Sequence, residues 1–210
     1  RAGLPPDGSG ANLMPAGFGL ILSSIYWREA WKYGERAIRY VNHDLGHAMA
    51  AIRYAANLLG WNVGLQPQPG VARLNRLLGF DQFEIPEAER EDADCLLWVS
   101  RQGEESGQIY PWVDTLEPPD YQDAPNLLSQ SHRVWPLIHE MADLVRSPGY
   151  ESDGSEVAQS HLVGKSSYGA EEIIRKRRSA QGYAPDACSM TRAAFRQIIG
   201  AVLPRDSCPF

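Results

Sequence analysis

The segment from Lys32 to Trp61, KYGERAIRYVNHDLGHAMAAIRYAANLLGW, brings together many side chains that can exchange protons or bind ions. It holds two histidines, three arginines, three tyrosines, a lysine, a glutamate and an aspartate within thirty residues. Such a set could form a metal site, an acid–base pair, or only the solvent-exposed side of a helix. The spacing of the residues decides which of these the sequence supports.

His43 and His47 lie four residues apart and would share one face of a helix, with Asp44 beside them. Two imidazoles and a carboxylate are ligands that zinc accepts. However, an H-x-x-x-H pair needs further ligands, and neither a cysteine nor a clear pair of carboxylates stands close by. The glutamate of a metalloprotease helix is also missing, because Asp44 and Leu45 follow His43. We therefore favour a helix start with capping hydrogen bonds over a metallohydrolase site, and we predict no bound metal.

Lys32 and Tyr33 adjoin each other in KYGER, and Arg36 and Arg39 follow closely. Neighbouring positive charge and hydrogen bonding are expected to lower the pKa of both Lys32 and Tyr33. Either group could then transfer a proton near neutral pH. The alternative is a plain surface turn at Gly34, and the residues alone favour that alternative.

The basic run from Arg175 to Ser179, RKRRS, is a second stretch that could bind a ligand. Guanidinium groups offer paired donors to a phosphate, and a serine hydroxyl adds a short neutral donor. Neither a P-loop nor a G-x-G-x-x-G sequence accompanies the run. Composition therefore favours a solvated basic stretch or a nucleic-acid patch.

The element that carries most of the first segment is a long helix. From about Asp44 to Leu59, apolar residues recur at the three and four spacing of one helix face. Asn42 is the expected N-cap, and Gly60 stands at the C′ position that favours glycine. The sequence therefore predicts a helix that begins near Asn42 and ends at Gly60.

Shorter elements follow this helix. We predict a strand at residues 61–66, a small helix at residues 70–79 that ends at its second glycine, and a buried strand at residues 95–100, CLLWVS. The acidic run at residues 84–94 is interpreted as a solvated connection. Residues 101–130 are predicted to be a loop.

Residues 131–147 show helical spacing with Pro136 in the first turn, and a Ser- and Gly-rich linker follows. Beyond the linker, the segment SMTRAAFRQIIGAVLP predicts an amphipathic helix that ends before Pro204. Its apolar face comprises Ala194, Phe195, Ile198, Ile199 and Val202.

The overall composition narrows the class of protein. A net charge of −6 over 210 residues argues against nucleic acid or an anionic membrane as a general partner. The cysteines Cys95, Cys188 and Cys208 are scattered, which favours free thiols in a reducing compartment. The longest apolar run is too short to cross a bilayer. These features predict a cytoplasmic protein.

Two of these stretches together resemble a known family. Residues 24–61, SIYWREAWKYGERAIRYVNHDLGHAMAAIRYAANLLGW, closely resemble the nitroreductase superfamily, in its branch of SagB/ThcOx-type FMN-dependent dehydrogenases. That branch has K-Y-G-x-R-x-(Y/F)-R-Y, then D/E-x-G-H, then an alanine-rich helix that ends in L-G. Ile38 stands where an aromatic residue is common. Residues 173–183, IIRKRRSAQGY, resemble the opening helix of the family, whose R-R-S-x-R residues bind the flavin.

The order of the two motifs is the reverse of that in a single nitroreductase domain. The resemblance therefore implies an excerpt of a tandem protein. Residues 1–147 would be the C-terminal part of a first nitroreductase-like domain, residues 148–167 a linker, and residues 168–210 the start of a second domain. The family has an α+β fold, with a mixed sheet flanked by helices and with FMN at a dimer interface. A homodimer or an intramolecular pseudo-dimer is therefore expected.

The resemblance also assigns roles to particular residues. Arg177, Arg178 and Ser179 match the flavin-binding positions, and Gln181 stands where the family prefers Arg or Lys. Lys32 and Tyr33 match the pair implicated in proton abstraction in azoline-oxidising relatives. On this basis HDLGH would be a structural helix start, buried against the domain partner.

The function implied is that of an FMN-dependent oxidoreductase. It would transfer hydride between flavin and a small molecule or peptide azoline, with NAD(P)H as a candidate electron donor. The alternative is a flavin-free pseudo-enzyme half that acts as a scaffold or dimerisation module in a biosynthetic complex. The departure at Gln181 and the missing parts of both domains favour that alternative.

Overall fold

The structure is a computed structural model that describes residues 16–66, 69–101, 110–146, 167–182 and 189–201. The described residues up to Arg146 belong to one compact unit, and those from Ser167 onward belong to a second. Several predicted features lie outside the described residues. They are almost all of the linker, the residues Cys188 and Cys208, and the end of the last helix. The assignment of the two units to two nitroreductase-like domains stays a prediction.

The first unit is built on an antiparallel sheet of the strands β1 (Gly17–Ile25), β2 (Trp61–Gln66) and β3 (Glu91–Arg101). The strand order is β1-β3-β2, so β3 lies in the middle. This position explains why its CLLWVS segment is apolar on both faces. Leu97 and Val99 pack on one side of the sheet, and Leu96 and Trp98 pack on the other.

The pairing register of β1 with β3 shifts by one residue between Leu22 and Ser23. Leu22 pairs with Cys95, whereas Ser23 pairs with Ala93. Asp94 therefore has no paired residue on β1, which is the arrangement of a β-bulge. Bulges change the direction of the side chains that follow and are frequent beside active sites.

The described residues of the first unit also form five α-helices. They are α1 (Trp27–Tyr33), α2 (Ala37–Leu58), α3 (Val71–Leu77), α4 (Tyr110–Thr115) and α5 (Pro136–Val145). Single 3-10 turns lie at Gly34–Arg36 and Glu87–Glu89. None of the helices in the described ranges is both long and apolar enough to cross a membrane.

The long helix α2 begins earlier than the sequence predicts. The 3-10 turn at Gly34–Arg36 leads directly into Ala37, so Asn42 lies inside the helix and not at its N-cap. Its amide donates to the carbonyl of Ile38, four residues earlier, at 2.7 Å. The predicted helix start at Asn42 is therefore wrong. The predicted end is confirmed, because Gly60 follows the helix with a φ of 74°.

The second unit contains α6 (Ala170–Lys176) and α7 (Arg192–Ala201). The predicted amphipathic helix before Pro204 is confirmed over Arg192–Ala201, but most of its apolar face is exposed. The exposed members are Phe195, Ile198 and Ile199, whose exposed fractions are 56%, 52% and 45%. Val202, the last residue of the predicted apolar face, lies outside the described residues.

The predicted α+β class is confirmed, while the sheet in the described ranges is wholly antiparallel and not mixed. The strands at residues 61–66 and 95–100, the small helix before Gly79 and the helix with Pro136 in its first turn are also confirmed. The sequence analysis missed β1, the helix α1 and the short helix α4, and α4 lies inside the predicted loop. The acidic run is not a solvated connection, because Glu89 is buried and β3 already begins at Glu91.

Candidate functional site

The Lys-Tyr pair lies where α1 turns into α2. Tyr33 is the last residue of α1, and Gly34 follows with a φ of 59° and a ψ of −140°. The predicted turn at Gly34 is therefore confirmed, and this left-handed conformation favours glycine. The ring of Tyr33 meets the ring of Tyr40 edge-on, with 4.7 Å between centroids. The ammonium of Lys32 lies 4.9 Å from the centroid of the Tyr33 ring.

Trp135 packs against this turn. A Cβ atom on Gly34 would lie 3.1 Å from the indole ring of Trp135, so the glycine also permits a close approach. The guanidinium of Arg133 stacks on the same indole, 4.1 Å from its centroid. The segment before α5 therefore holds the Lys-Tyr turn against the body of the first unit.

The electrostatics of Lys32 differ from the expectation. A hydrogen-bonding interaction with the Tyr33 side chain stabilises the ammonium and raises the pKa of Lys32 above its ordinary value. The predicted lowering of the Lys32 pKa is therefore wrong, because Tyr33 and the charge of Glu29 outweigh the opposing effect of desolvation. Lys32 remains protonated near neutral pH, so it can donate a proton or hold an anion but cannot act as a base.

The basic run lies at the end of a short helix in the second unit. Helix α6 ends at Lys176, and Arg177, Arg178, Ser179 and Gln181 follow in exposed backbone without regular secondary structure. The Nη1 group of Arg178 donates to the carbonyls of Arg177 and of Arg175, at 2.7 and 2.9 Å. Arg178 thus satisfies carbonyl groups at the C-terminal end of the helix.

The two basic residues at the end of α6 also form ion pairs. Arg175 pairs with Glu171 at 3.0 Å, and Lys176 pairs with Glu172 at 2.6 Å, each one helical turn apart. Of the candidate flavin-binding residues, three have exposed side chains that take no part in these helix contacts, namely Arg177, Ser179 and Gln181. The structure brings Lys32 and Tyr33 together in one unit and Arg177 to Gln181 together in the other.

The HDLGH residues lie inside α2 and not at a helix start. The rings and carboxylate of His43, Asp44 and His47 are exposed in the first unit. Nδ1 of His47 lies 2.6 Å from the carbonyl oxygen of His43, which is a local helix contact. In the part of the chain that the structure describes, no group of His, Cys, Asp or Glu side chains has the geometry of a metal site.

A buried carboxylate, Glu89, forms a polar centre that the sequence analysis missed. It accepts hydrogen bonds from the backbone N–H groups of Leu128 and Ser129, at 2.7 and 2.8 Å, and from Nε2 of His132 at 2.5 Å. Burial opposes the ionisation of Glu89, but these hydrogen bonds outweigh it and lower its pKa. The carboxylate therefore fastens the loop before α5 to the turn before β3.

Trp27 completes this centre from α1. Its indole N–H donates to the hydroxyl of Ser129 at 2.8 Å, and its ring meets the His132 ring edge-on at 5.0 Å. Trp27 is itself buried beside Ala37 and Ile138. The same loop thus joins α1, α5 and the start of β3, which are the elements that position the Lys-Tyr turn.

Asp94 is the second group that the sequence analysis missed. It lies at the bulge of β3 and accepts a hydrogen bond of 2.5 Å from the hydroxyl of Ser24. Burial, together with the charges of Asp92 and Glu91, raises the pKa of Asp94 to about 6, although the Ser24 hydroxyl acts in the opposite direction. Asp94 and Tyr26 line a cavity of about 210 Å³, and burial with the charges of Asp94 and Asp92 also raises the pKa of Tyr26.

Asp92 and Cys95, which lie near Asp94 on β3, are less suited to transfer a proton. The carboxylate of Asp92 is paired with Arg90 and Arg146, each at 2.9 Å. Cys95 is a free thiol, as expected, but burial raises its pKa to about 11 and keeps it protonated. Burial therefore moves the pKa of Asp94 toward neutral pH.

No family model, curated protein or solved structure matches this chain. The resemblance to the nitroreductase superfamily therefore rests on the residues quoted above. The function that follows from it is a proposal.

Proposed function

We propose that this chain is part of an FMN-dependent oxidoreductase of the nitroreductase type, with Lys32 and Tyr33 as its proton-handling pair. The observation that carries the proposal is the position of the Lys32 ammonium beside the Tyr33 ring, on a turn held by Gly34. A protonated lysine next to a tyrosine gives two adjacent donors at one surface. Such a pair can bind a substrate heteroatom and deliver the proton that accompanies hydride transfer from flavin to substrate.

The surroundings of the pair favour one orientation of the tyrosine. Tyr40 packs edge-on against Tyr33, and Trp135 lies against the glycine that follows it. Rigid placement matters because proton transfer requires donor and acceptor to approach within hydrogen-bond distance. Tyr40 and Trp135 therefore act as positioning residues for Lys32 and Tyr33 in this proposal.

The donors that would hold FMN are those of the second unit. Arg177, Arg178 and Ser179 provide guanidinium and hydroxyl groups that suit the phosphate of the cofactor, and Gln181 provides an uncharged amide. Arg178 uses Nη1 for backbone carbonyls, which leaves its other guanidinium N–H groups for an anion. When bound, FMN would supply the hydride chemistry. It would take hydride from a peptide azoline, or it would pass hydride from NAD(P)H, the candidate electron donor, to a reducible small molecule.

The phosphate-binding role is tested by titrating the chain with FMN and following the flavin fluorescence. We expect Arg177→Ala to weaken FMN binding by about tenfold or more, because it removes charged donors. Arg192→Ala, in α7 of the same unit, is the matched control and should leave binding unchanged. If both variants bind FMN as tightly as the unchanged chain does, the assignment of Arg177 as a phosphate-binding residue is wrong.

The proton-handling role is tested separately by turnover of the flavin-loaded chain with NAD(P)H as electron donor and a small nitro compound as the reducible substrate. Lys32→Ala and Tyr33→Phe should each lower kcat without changing FMN affinity. Glu35→Ala, in the adjacent exposed turn, is the control. Unchanged turnover in both variants would refute the pair and leave the flavin assignment standing.

One observation favours the alternative of a scaffold or dimerisation module. Helix α5 buries Ile138 and Ala142, yet it also exposes a second apolar stripe at one-turn spacing. The stripe comprises Leu137, Met141 and Leu144, with exposed fractions of 41%, 36% and 72%. A scaffold would bind no flavin and would self-associate or bind a partner through this stripe, which Leu144→Glu should prevent in sedimentation measurements.

A further inference from the structure

A second cleft in the first unit lies between β1, α1 and α2, and its volume is about 420 Å³. Ligand sites in proteins have volumes of about 300–1,000 Å³, so this cleft has the size for a small molecule. One wall is apolar, because Val41, Leu45 and Ala48 lie on one face of α2 at spacings of four and three residues. Leu22 and Ile25 of β1 extend this wall.

Charged side chains of both signs also line the cleft. Arg28 of α1 contributes a guanidinium, and Asp44 of α2 contributes a carboxylate. Neither side chain forms an ion pair with another residue in the described ranges. Glu91, which also lines the cleft, already accepts a hydrogen bond of 2.5 Å from Ser23. Glu29 also lines the cleft, and its charge acts on Lys32, whose pKa it helps to raise. Arg28 and Asp44 therefore remain available to a ligand.

The main chain of β1 adds polar groups to the same place. In the described sheet β1 pairs only with β3, so its other edge presents N–H and C=O groups beside the cleft.

We propose that this cleft binds a free α-amino acid with an apolar side chain. Arg28 would pair with the α-carboxylate, Asp44 would pair with the α-ammonium, and the apolar wall of α2 and β1 would cover the side chain. An anion would leave Asp44 unpaired, and a simple cation would leave Arg28 unpaired. A zwitterion satisfies both charges within one small apolar cleft. This inference does not rest on flavin binding, and either proposal can fail without the other.

The test is isothermal titration calorimetry on the full chain with related probes, at about pH 6.5, where an α-amino group is charged. The probes are L-leucine, L-leucinamide, which lacks the carboxylate, and N-acetyl-L-leucine, which lacks the ammonium. We expect L-leucine to bind and each analogue to bind about tenfold more weakly or worse, because each loses one charged contact.

Matched variants locate the binding. Arg28→Gln should weaken L-leucine by about tenfold without changing the affinity for L-leucinamide, since that contact is already missing. Asp44→Asn should weaken L-leucine and L-leucinamide but not N-acetyl-L-leucine. Arg76→Gln and Glu84→Gln, which are exposed and outside the cleft, are the controls. Circular dichroism should show that all variants retain the fold.

The proposal is overturned by any of three results. The first is no heat of binding with L-leucine at concentrations of about 10 mM, well above the Kd of a weak specific ligand. The second is equal affinity for L-leucine and L-leucinamide, which would mean that the carboxylate is not recognised. The third is unchanged L-leucine binding in both Arg28→Gln and Asp44→Asn.

Discussion

The buried carboxylate of Glu89 accepts a hydrogen bond from Nε2 of His132 at 2.5 Å, although the two residues are 43 positions apart in the sequence. Glu89 is 3% exposed, so its charge depends on this bond and on two backbone N–H groups. His132 in turn packs edge-on against Trp27 of α1. The pair therefore ties the loop before α5 to the elements that present Lys32 and Tyr33.

We predict that Glu89→Gln destabilises the first unit by about 2–4 kcal/mol, because the amide N–H₂ would face donors in a buried site. The free energy of unfolding is measured by urea denaturation. Glu87→Gln, in the same 3-10 turn but exposed, is the matched control and should change it by less than about 0.5 kcal/mol. Equal effects of the two changes would show that the Glu89 contacts do not stabilise the fold.

Acid should weaken the same contact. Since the pKa of Glu89 is lowered in the folded state, its ionised form adds stability above its ordinary pKa of 4.5, and this contribution is lost as the pH falls below that value. The difference in unfolding free energy between the unchanged chain and Glu89→Gln should therefore shrink on acidification. A difference that stays constant from neutral to acid pH would contradict the lowered pKa.

Asp94 should show the opposite dependence on pH. Its pKa is raised from 3.8 to about 6, so its folded form prefers the proton. The contribution of Asp94 to stability is fully present below about pH 4 and is lost as the pH rises through about 6. Asp94→Asn cannot ionise, so the stability of the unchanged chain relative to this variant should fall over that interval. A relative stability that rises with pH would refute the raised pKa.

The turn at Gly34 is predicted to tolerate no side chain. Gly34→Ala places a Cβ atom 3.1 Å from the Trp135 indole at a positive φ, and we expect a loss of about 1–3 kcal/mol of unfolding free energy. Gly46→Ala is the control, because the added Cβ in α2 would have no heavy atom within 4 Å apart from its chain neighbours and the adjoining backbone of the helix. It should stabilise the chain by about 0.5–1 kcal/mol through helix propensity. A Gly34→Ala variant as stable as Gly46→Ala would mean that the turn is not constrained.

The parts of the fold that the sequence predicted are those with a strong local pattern. The CLLWVS strand, the helix with Pro136 at its start and the end of α2 at Gly60 depend on short-range signals, which tertiary packing reinforces. The start of α2 was misplaced because a 3-10 turn with no side-chain cap precedes it. Strand β1 was missed because its run of glycines and serines weakens the strand pattern.

The candidate site was only partly predictable for a different reason. Lys32 and Tyr33 are adjacent in sequence, so their proximity requires no knowledge of the fold. Glu89 and Asp94 depend on contacts with residues about 40 and 70 positions away, and on a bulge that no local pattern reveals. Their acidic neighbours resemble a solvated run, since composition does not distinguish a buried carboxylate from an exposed one.

The proposal that this chain takes part in flavin chemistry is tested most directly by its visible absorption spectrum after addition of FMN and desalting. The account predicts a retained flavin band, which Arg177→Ala should reduce and the control Arg192→Ala should not. A colourless protein after desalting would contradict flavin binding by these residues and would favour the scaffold alternative.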